Sequence, residues 1–518
     1  MKLKRQSLVS QGSLNRIFEE VNKSWKQFDF QAAIELMERA SRLDPANTGI
    51  LLDLGRMYGL RYDYATAERC FEKAVRISPK KIETLAAAGL QSRDFGSFPM
   101  SERYYLLASE QKNATPGVFV QLAKLYERLR RMEDAANMVE RALKLNSAYP
   151  EALLTRARLE RQKGRLEEAE KLIRSFVNQS NPDVWIHAQT WYELGAILDR
   201  QGKYDDAFAA FVQAKALLRP NAERLLNELK IVRKRITDMQ ANISAEALQR
   251  WFDCASALQP TRRLALLGGH PRSGTTLLEQ VLDSHPDIVS VEETTIFHDE
   301  GYMPLTRSLP ENEPMLSVLE AAQTSALQQS RTSYFRSVER FLGKPVGERL
   351  VIDKNPSLTF LIPLLIRVFP EIKLLIALRD PRDVVLSCFM QSLPLEQGSS
   401  AYLSLESAVD EYATMMSFWQ TLKPLIKNPF LEVRYEDMVE NLESVARRTL
   451  DFLGVPWDAR VLGFDEHARQ KVVRSPTYAD VTKPVYKGAV GRWRNYQKHL
   501  EPHLEKLAPF IKVFGCEA

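Results

Sequence analysis

The segment Leu267-Gly-Gly-His-Pro-Arg-Ser-Gly-Thr-Thr-Leu277 decides how the C-terminal half of this chain is read. It completes a short apolar run, RLALLGG from Arg263 to Gly269, and leads directly into a helical pattern. An apolar run of this length that ends in glycines reads as a buried strand. The first turn of the following helix offers backbone N–H groups together with the hydroxyls of Ser273, Thr275 and Thr276. Such a turn holds phosphate because several donors and the helix N-terminal partial charge converge on one anion. Gly269 and Gly274 have the spacing of the phosphate loop GxxxxGK[ST], and Thr276 matches its last hydroxyl, but Thr275 stands where the lysine belongs. That lysine serves the β- and γ-phosphates of a triphosphate. Its replacement, with Arg272 inside the loop, points to a different phosphoanhydride. A turn without a ligand would explain a lone glycine pair, but explains the whole string poorly.

Working outward, further apolar runs follow at Leu350–Asp353, Lys373–Leu378 and Phe430–Val433, separated by helical stretches such as Leu358–Phe369 and Leu442–Leu453. Buried strands alternating with helices predict an α/β domain with a mostly parallel sheet. In LIALRDPRDVVLS (375–387) a strand ends at Arg379, and Ser387 follows eight residues later on the next helix. A guanidinium fork and a hydroxyl suit a terminal phosphate dianion, whereas Arg379 and Asp380 alone would read as an exposed ion pair. Glu292 and Glu293, in Ser-Val-Glu-Glu-Thr, would by themselves be a solvated acidic turn. Their place after the anion loop favours a carboxylate base. His270, His285 and His298 are the competing bases, with His285 reading as a satisfied helix-end residue.

The first 220 residues have a different grammar. Pro45, Pro79, Pro116, Pro150 and Pro220 punctuate helical segments at intervals of 34, 37, 34 and 70 residues. A repeat of about 34 residues built as helix, turn, helix is the tetratricopeptide (TPR) period. The segment from Ala46 to Pro79 carries Leu51, Leu54, Gly55, Tyr58, Tyr64, Ala67, Phe71 and Ala74; the one ending at Pro220 repeats this with Trp191, Leu194, Gly195, Tyr204, Ala207, Phe211 and Ala214. Gly55 and Gly195 are expected to let paired helices approach, while the large residues fill the groove beside them. The stretch Lys80–Pro116 is the least regular. The expected organisation is a repeat array at 14–220 (five or six repeats), a helical linker at 221–260 and the α/β domain at 261–518. By resemblance to other TPR arrays, the concave face is expected to bind a protein or peptide, the alternative being a purely structural extension.

Bulk properties set the frame. A length of 518 residues exceeds one hydrophobic core, and a net charge of +5 suits a local anion pocket better than a nucleic-acid surface. Cys70, Cys254, Cys388 and Cys516 form no CxxC pair, which disfavours both a metal cluster and a disulfide framework. The N-terminal stretch lacks the apolar core of a signal peptide, and no apolar run of about 18 residues suggests a membrane span. A soluble, cytoplasmic protein is expected.

The string PRSGTTLLEQVLDSHPDIVSVEET (271–294) resembles the 5'-phosphosulfate loop of the tyrosylprotein sulfotransferases and of related TPR-containing bacterial sulfotransferases. The resemblance spans about 264 to 493. It implies 3'-phosphoadenylyl sulfate (PAPS) as co-substrate, adenosine 3',5'-bisphosphate as product and no metal. It places Arg272, Ser273, Gly274, Thr275 and Thr276 around the 5'-phosphosulfate, and Arg379 and Ser387 on the 3'-phosphate. Lys354, in Asp-Lys-Asn-Pro, corresponds to the lysine that steadies the sulfuryl group, and Tyr435 to the aromatic beside adenine. RSPTYADVTKPVYKGAVGRW (474–493) resembles the C-terminal PAPS loop, making Ser475 a transition-state contact and Tyr486 and Arg492 cofactor contacts. This loop is two residues longer than the family pattern. Glu293 matches the catalytic glutamate.

The resemblance implies sulfuryl transfer to a hydroxyl, with protein tyrosine as leading acceptor and a small-molecule or glycan hydroxyl as alternative. The family's peptide-holding arginine after Glu-Glu-Thr is Thr295 here, its basic residue four further on is Asp299, and the arginine twelve positions beyond Arg379 is Gln391. Two other classes stand beside this reading. A phosphate-loop kinase or NTPase is opposed by Thr275, and a non-enzymatic scaffold by Arg272, Glu293, Lys354, Arg379 and Ser475 occurring together.

Overall fold

The computed structural model describes residues 2–178, 183–307, 309–310, 313–471 and 481–516, with side chains from residue 12 onward. The chain forms two compact units, one of Met1–Thr155, His298–Ser308 and Ser333–Lys344, the other of Arg156–Phe297, Leu309–Thr332 and Pro345–Ala518.

The N-terminal half is built of helical hairpins: α1 (Lys2–Lys26) with α2 (Phe30–Leu43), α3 (Thr48–Leu60) with α4 (Tyr64–Ile77), α5 (Lys81–Asp94) with α6 (Phe98–Ser109), and α7 (Pro116–Arg128) with α8 (Met132–Leu145). The series continues with α9 (Pro150–Gln162) and α10 (Leu166–Arg174), then α11 (Val184–Arg200) and α12 (Tyr204–Leu218). Side-chain caps mark several starts: Asp29, Asn47, Asp63 and Asp183 each accept from backbone N–H groups of the first turn. Pro116 and Pro150 are first residues of their helices and so open a hairpin rather than close the one before. Proline suits that position because its missing N–H would have no intrahelical partner.

Glycine and an aromatic ring set the hairpin contact. A Cβ at Gly55 would lie 2.4 Å from the Phe71 ring, at Gly89 3.0 Å from Tyr105, and at Gly195 2.7 Å from Phe211. Each pair is sixteen residues apart (55 and 71, 89 and 105, 195 and 211). The irregular segment at 80–116 therefore keeps the same device with Tyr105 in place of phenylalanine. At the same spacing stand Ala123 with Val139 and Ala157 with Ile173, all buried. A larger small residue accompanies a smaller large one, as close packing requires.

Helices α13 (Glu223–Asn242) and α14 (Ala245–Asp253) lead to the sheet. Its strands are β1 (Leu264–Gly269), β2 (Ile288–Glu292), β3 (Leu350–Lys354), β4 (Lys373–Leu378) and β5 (Phe430–Arg434), in the order β2-β3-β1-β4-β5. All four pairings are parallel. Every residue of β1, β2 and β3 is buried, as expected of a sheet covered on both faces. Strand β2 is absent from the sequence expectation. Its apolar part is only Ile-Val-Ser-Val before two glutamates, too short to separate from a loop without its ladder to β3. The stretch expected as helix from Leu358 starts as a 3₁₀ turn, Pro356–Leu361, and becomes helical at Ile362–Val368. Helix α15 (Thr275–Asp283) follows β1. Among the described residues no helix is long and apolar enough to cross a membrane.

Replacing Gly195 by alanine forces a methyl into the Phe211 ring. This should cost about 1–3 kcal/mol despite alanine's better helix propensity. Alanine at Gly164, where no atom lies within 4 Å of the added Cβ, meets only the backbone strain of φ +82°. Urea unfolding of the two variants beside wild type checks this: G195A should lower the midpoint with no change in slope.

Candidate active site

The connections leave β1 on one side for β2 and β3 and return on its other side for β4 and β5. A crevice opens at such a point beyond the carboxyl ends of the strands. The singled-out residues stand there: His270 after β1, Glu293 after β2, Lys354 ending β3, Arg379 after β4 and Tyr435 after β5.

The loop from β1 to α15 is held open by its backbone. Gly269 has φ +117°, and a Cβ there would sit 2.3 Å from the carbonyl oxygen of Ala377. The Thr359 hydroxyl lies 2.8 Å from the Gly269 amide and 2.9 Å from its carbonyl oxygen. It gives and receives at the point where the β1 ladder ends. Gly274 (φ +93°) caps α15 without a side-chain cap, and a Cβ there would meet the Tyr435 ring at 2.6 Å. Arg272 is also left-handed, φ 73°, unusual for a residue with a side chain. Ser273, Thr275 and Thr276 are buried in this turn.

Arg272, Ser387 and Arg379 meet. Arg272 Nε donates to Ser387 Oγ at 2.9 Å, and Arg379 Nη1 donates to the Arg272 carbonyl at 3.2 Å. The Arg379 guanidinium lies 4.7 Å from the Tyr435 ring centroid. Asp383, one turn along the helix Pro381–Met390, is 3.6 Å from Arg379 Nη2. Burial raises the Asp383 carboxyl above its usual range, although Arg379 and two backbone N–H groups pull the other way. The Nε of Arg379 is buried and has no hydrogen-bond partner among the described residues.

Lys354 and Glu293 form the second cluster. Lys354 is wholly buried, and its ammonium lies 2.7 Å from Glu293 Oε1, 3.5 Å from Glu279 and 3.6 Å from Glu292. Burial works against this charge, but the carboxylates of Glu279, Glu293 and Glu292 outweigh it and hold the lysine above its ordinary range. Burial pushes the Glu279 carboxyl up to about 7 against the pull of Lys354. Glu293 is the more accessible carboxylate, with its side chain 37% exposed. Its backbone is left-handed (φ 47°), and its amide donates to the Lys354 carbonyl at 2.8 Å, extending the ladder by one rung. Strained backbone of this kind persists where surrounding contacts over-determine it.

The histidines separate by environment. His270 is fully buried beside Cys388 and Tyr412, and burial pushes its imidazole down to about 4. His285 has both ring nitrogens engaged, with the Pro456 carbonyl and the Asp287 amide, the satisfied helix-end role read from sequence. His298 lies 3.1 Å from Asp299. Asp299 also binds Arg61 at the end of α3, at 3.1 Å, within the first compact unit.

Of the C-terminal loop, Ser475 lies outside the described residues. Tyr486 is 45% exposed. The Gly491 and Trp493 amides both donate to Asp383 at 2.8 Å, and Arg379 donates to the Ala489 carbonyl. This brings 489–493 against the arginine pair. Arg492 itself engages Asp199 of α11 at 2.6 Å. Thr359, Glu279, Asp383 and Asp199 act on the site and were not singled out from sequence. Asp383 alone carried a signal, standing four residues after Arg379.

A sulfotransferase family model matches residues 265–459. Tetratricopeptide repeat models match 49–78, 120–184 and 188–217. The protein-tyrosine sulfotransferase of Drosophila melanogaster is 27% identical over 264 residues, covering 49% of this chain and 52% of its own length. That of Danio rerio, protein-tyrosine sulfotransferase 1, is 28% identical over 269 residues, covering 49% of this chain and 72% of that one. An uncharacterized protein of Aquifex aeolicus is 24% identical over 413 residues, 78% of this chain and 52% of that one. The chain thus spans about half the length of the first of these enzymes and of the Aquifex protein. Among solved structures, the sulfotransferase domain of the Synechococcus olefin synthase aligns at TM-score 0.32 and 23% identity, over 46% of this chain and 89% of its own.

Lys354→Met would remove the buried ammonium that Glu279, Glu292 and Glu293 share, leaving Lys471 to act on the first two. Removing one partner of a buried ion cluster costs about 3–5 kcal/mol. A carboxyl whose folded-state value is raised loses stability as pH climbs from its unfolded value near 4.5 through about 7. The deficit of the variant should therefore be largest at pH 8 and shrink toward pH 5, as read from urea midpoints across that range.

Proposed function

We propose that this chain, a sulfotransferase-family domain joined to tetratricopeptide repeats, transfers a sulfuryl group from PAPS to an acceptor hydroxyl, with a protein tyrosine as the leading acceptor. The observation that carries this reading is the convergence of Arg272, Ser387 and Arg379 beside the uncapped N-terminus of α15. Two arginines, a hydroxyl and a set of helix N-terminal amides suit a nucleotide with phosphates at two positions.

The residues present fit that co-substrate. The buried Arg379 Nε lacks a partner among the described residues, and both Gly269 and Gly274 keep the loop clear where a Cβ would clash. In this reading the 270–276 loop holds the 5'-phosphosulfate, Arg379 and Ser387 the 3'-phosphate, and Tyr435 flanks the base. When bound, PAPS supplies the electrophilic sulfur and departs as adenosine 3',5'-bisphosphate.

The side chains of the chain do the rest. Glu293 takes the proton of the acceptor hydroxyl, a contribution of about 10²–10⁴-fold for a well-placed base. Its backbone is tied to the β3 carbonyl, and its carboxylate is 37% exposed and bound by the Lys354 ammonium. Lys354, delivered by the end of β3 to the same carboxylate, and Arg272 neutralise charge that builds on the transferring group. Ser475 is assigned a contact to that group by resemblance. The repeat array is read as the surface that engages the acceptor polypeptide.

A neutral small-molecule or glycan hydroxyl is the second reading. What favours it is the sequence, in which Thr295, Asp299 and Gln391 stand where the resembled family carries basic residues, two of them arginines.

Calorimetric titration with adenosine 3',5'-bisphosphate, without added metal, should show binding that Arg379→Ala loses by roughly 100-fold. Glu293→Gln should keep that affinity yet lower single-turnover sulfation of a tyrosine peptide by about 10²–10⁴-fold. Binding of ATP with magnesium in preference to the bisphosphate would overturn the reading.

A further inference from the structure

Asp199 is a carboxylate in an unfavourable place. It is the penultimate residue of α11, where the helix dipole disfavours negative charge. Yet its side chain is largely buried, 14% exposed, and both oxygens are engaged. Oδ2 accepts from Arg492 Nη2 at 2.6 Å, and Oδ1 accepts from the Tyr496 hydroxyl at 2.6 Å. One repeat carboxylate thus grips Arg492 at the end of the C-terminal loop and Tyr496 just after it, within one compact unit.

Arg492 stands between two residues already tied to the arginine pair. The Gly491 and Trp493 amides both donate to Asp383, and Asp383 faces Arg379. The backbone on either side of Arg492 is therefore fixed at the Arg379 end of the crevice. Its long side chain is not fixed by that backbone, since it has several rotatable bonds and loses entropy when ordered. Asp199 removes that freedom through one terminal nitrogen, and the guanidinium has further N–H donors for an anion.

The hairpin that carries Asp199 is docked by separate contacts. Asp205, in the first turn of α12, binds Lys498 and His499, and the His499 ring stacks on Phe208 at 3.9 Å. Tyr204 packs on Tyr496 and Phe208 on Phe389. Removing the Asp199 carboxylate takes a hydrogen bond from Tyr496 but leaves the Asp205, Phe208 and Phe389 contacts in place, so its effect is separable from docking.

We infer that the last repeat hairpin is part of the cofactor site, with Asp199 a positioning residue that orients Arg492 toward the 3'-phosphate. This rests on the proposed PAPS-dependent reading and adds that the repeat array and the cofactor pocket share a residue contact. A carboxylate behind a phosphate-binding arginine pre-pays its ordering cost, the usual route by which preorganisation raises affinity.

The readout is the ratio of dissociation constants for adenosine 5'-monophosphate and adenosine 3',5'-bisphosphate, which isolates the 3'-phosphate. Calorimetry on the full chain compares wild type with Asp199→Ala, Asp199→Asn, Arg492→Ala, the Asp199→Ala/Arg492→Ala double variant and Asp205→Ala. The expected result is a ratio reduced roughly 10-fold by Asp199→Ala, the scale of a hydrogen bond to a charged group. Asp199→Asn, which keeps an acceptor oxygen, should fall between, and the double variant should match Arg492→Ala. Asp205→Ala should leave the ratio unchanged. If Asp199→Ala fails to fold by circular dichroism, Asp199→Asn carries the comparison.

A ratio that collapses in Arg492→Ala but stays at the wild-type value in both Asp199 variants overturns the inference while leaving the PAPS reading intact. Tighter bisphosphate binding by Asp199→Ala also overturns it, since Asp199 would then compete with the phosphate. If Arg492→Ala itself leaves the ratio unchanged, Asp199 has nothing to orient and the inference fails there. A folded wild-type chain that binds neither nucleotide removes the PAPS reading and the inference with it.

Discussion

The carboxyl edge of the sheet depends on how closely β1 runs beside β4 at its last rung. Gly269 pairs with Ala377, and any side chain at that position would strike the Ala377 carbonyl oxygen at 2.3 Å. The same residue turns the chain through a left-handed conformation, which only glycine adopts without cost. Thr359 closes the buried end of the ladder with one hydroxyl that serves as donor and acceptor. Because that rung is tight, β4 delivers Arg379 directly beside the carbonyl of Arg272, and α15 begins at Gly274 without a side-chain cap. The cationic cluster follows from this packing.

Charge in the crevice is divided between two poles. On the β4 side, arginines gather around the anion loop with Asp383 as their fixed counter-charge. On the β2–β3 side, one buried ammonium is shared among three carboxylates. Such a buried cluster adds little net stability, since desolvation offsets most of the attraction. What it does provide is orientation. Glu279 and Glu292 hold the Lys354 ammonium from the side away from solvent, so that its shortest contact is with Glu293, at 2.7 Å. The left-handed backbone at Arg272 and Glu293 places strain on either side of the space between the poles.

The repeats have their own economy of small and large residues. Glycine opposite an aromatic ring, recurring at a sixteen-residue spacing in three hairpins, holds paired helices close. The last hairpin departs from this internal logic at its outer end. There Asp199, Tyr204, Asp205 and Phe208 face residues 492–499. The final repeat therefore packs on residues 492–499 of the same compact unit, a contact that repeat periodicity does not reveal.

Much of this was open to reading in one dimension. The glycine-ended apolar run, the run of hydroxyls after it, and Arg379 with Ser387 eight residues on are local patterns, and local backbone chemistry decides them. The hairpin period and the Gly55 and Gly195 contacts are local in the same sense, since each pair lies within one supersecondary unit. Strand β2 escaped because three apolar residues and a serine before two glutamates acquire strand identity only from the β3 ladder. Glu279 looked like an ordinary helix carboxylate until β3 brought Lys354 to it, and Asp199 like an ordinary helix end until Arg492 arrived from 293 residues away. By itself the sequence determined four of the five strands, the repeat period and the chemistry available at each turn. Only the tertiary structure decided which charges share a counter-ion, because ion pairing depends on distance through space and is blind to separation along the chain.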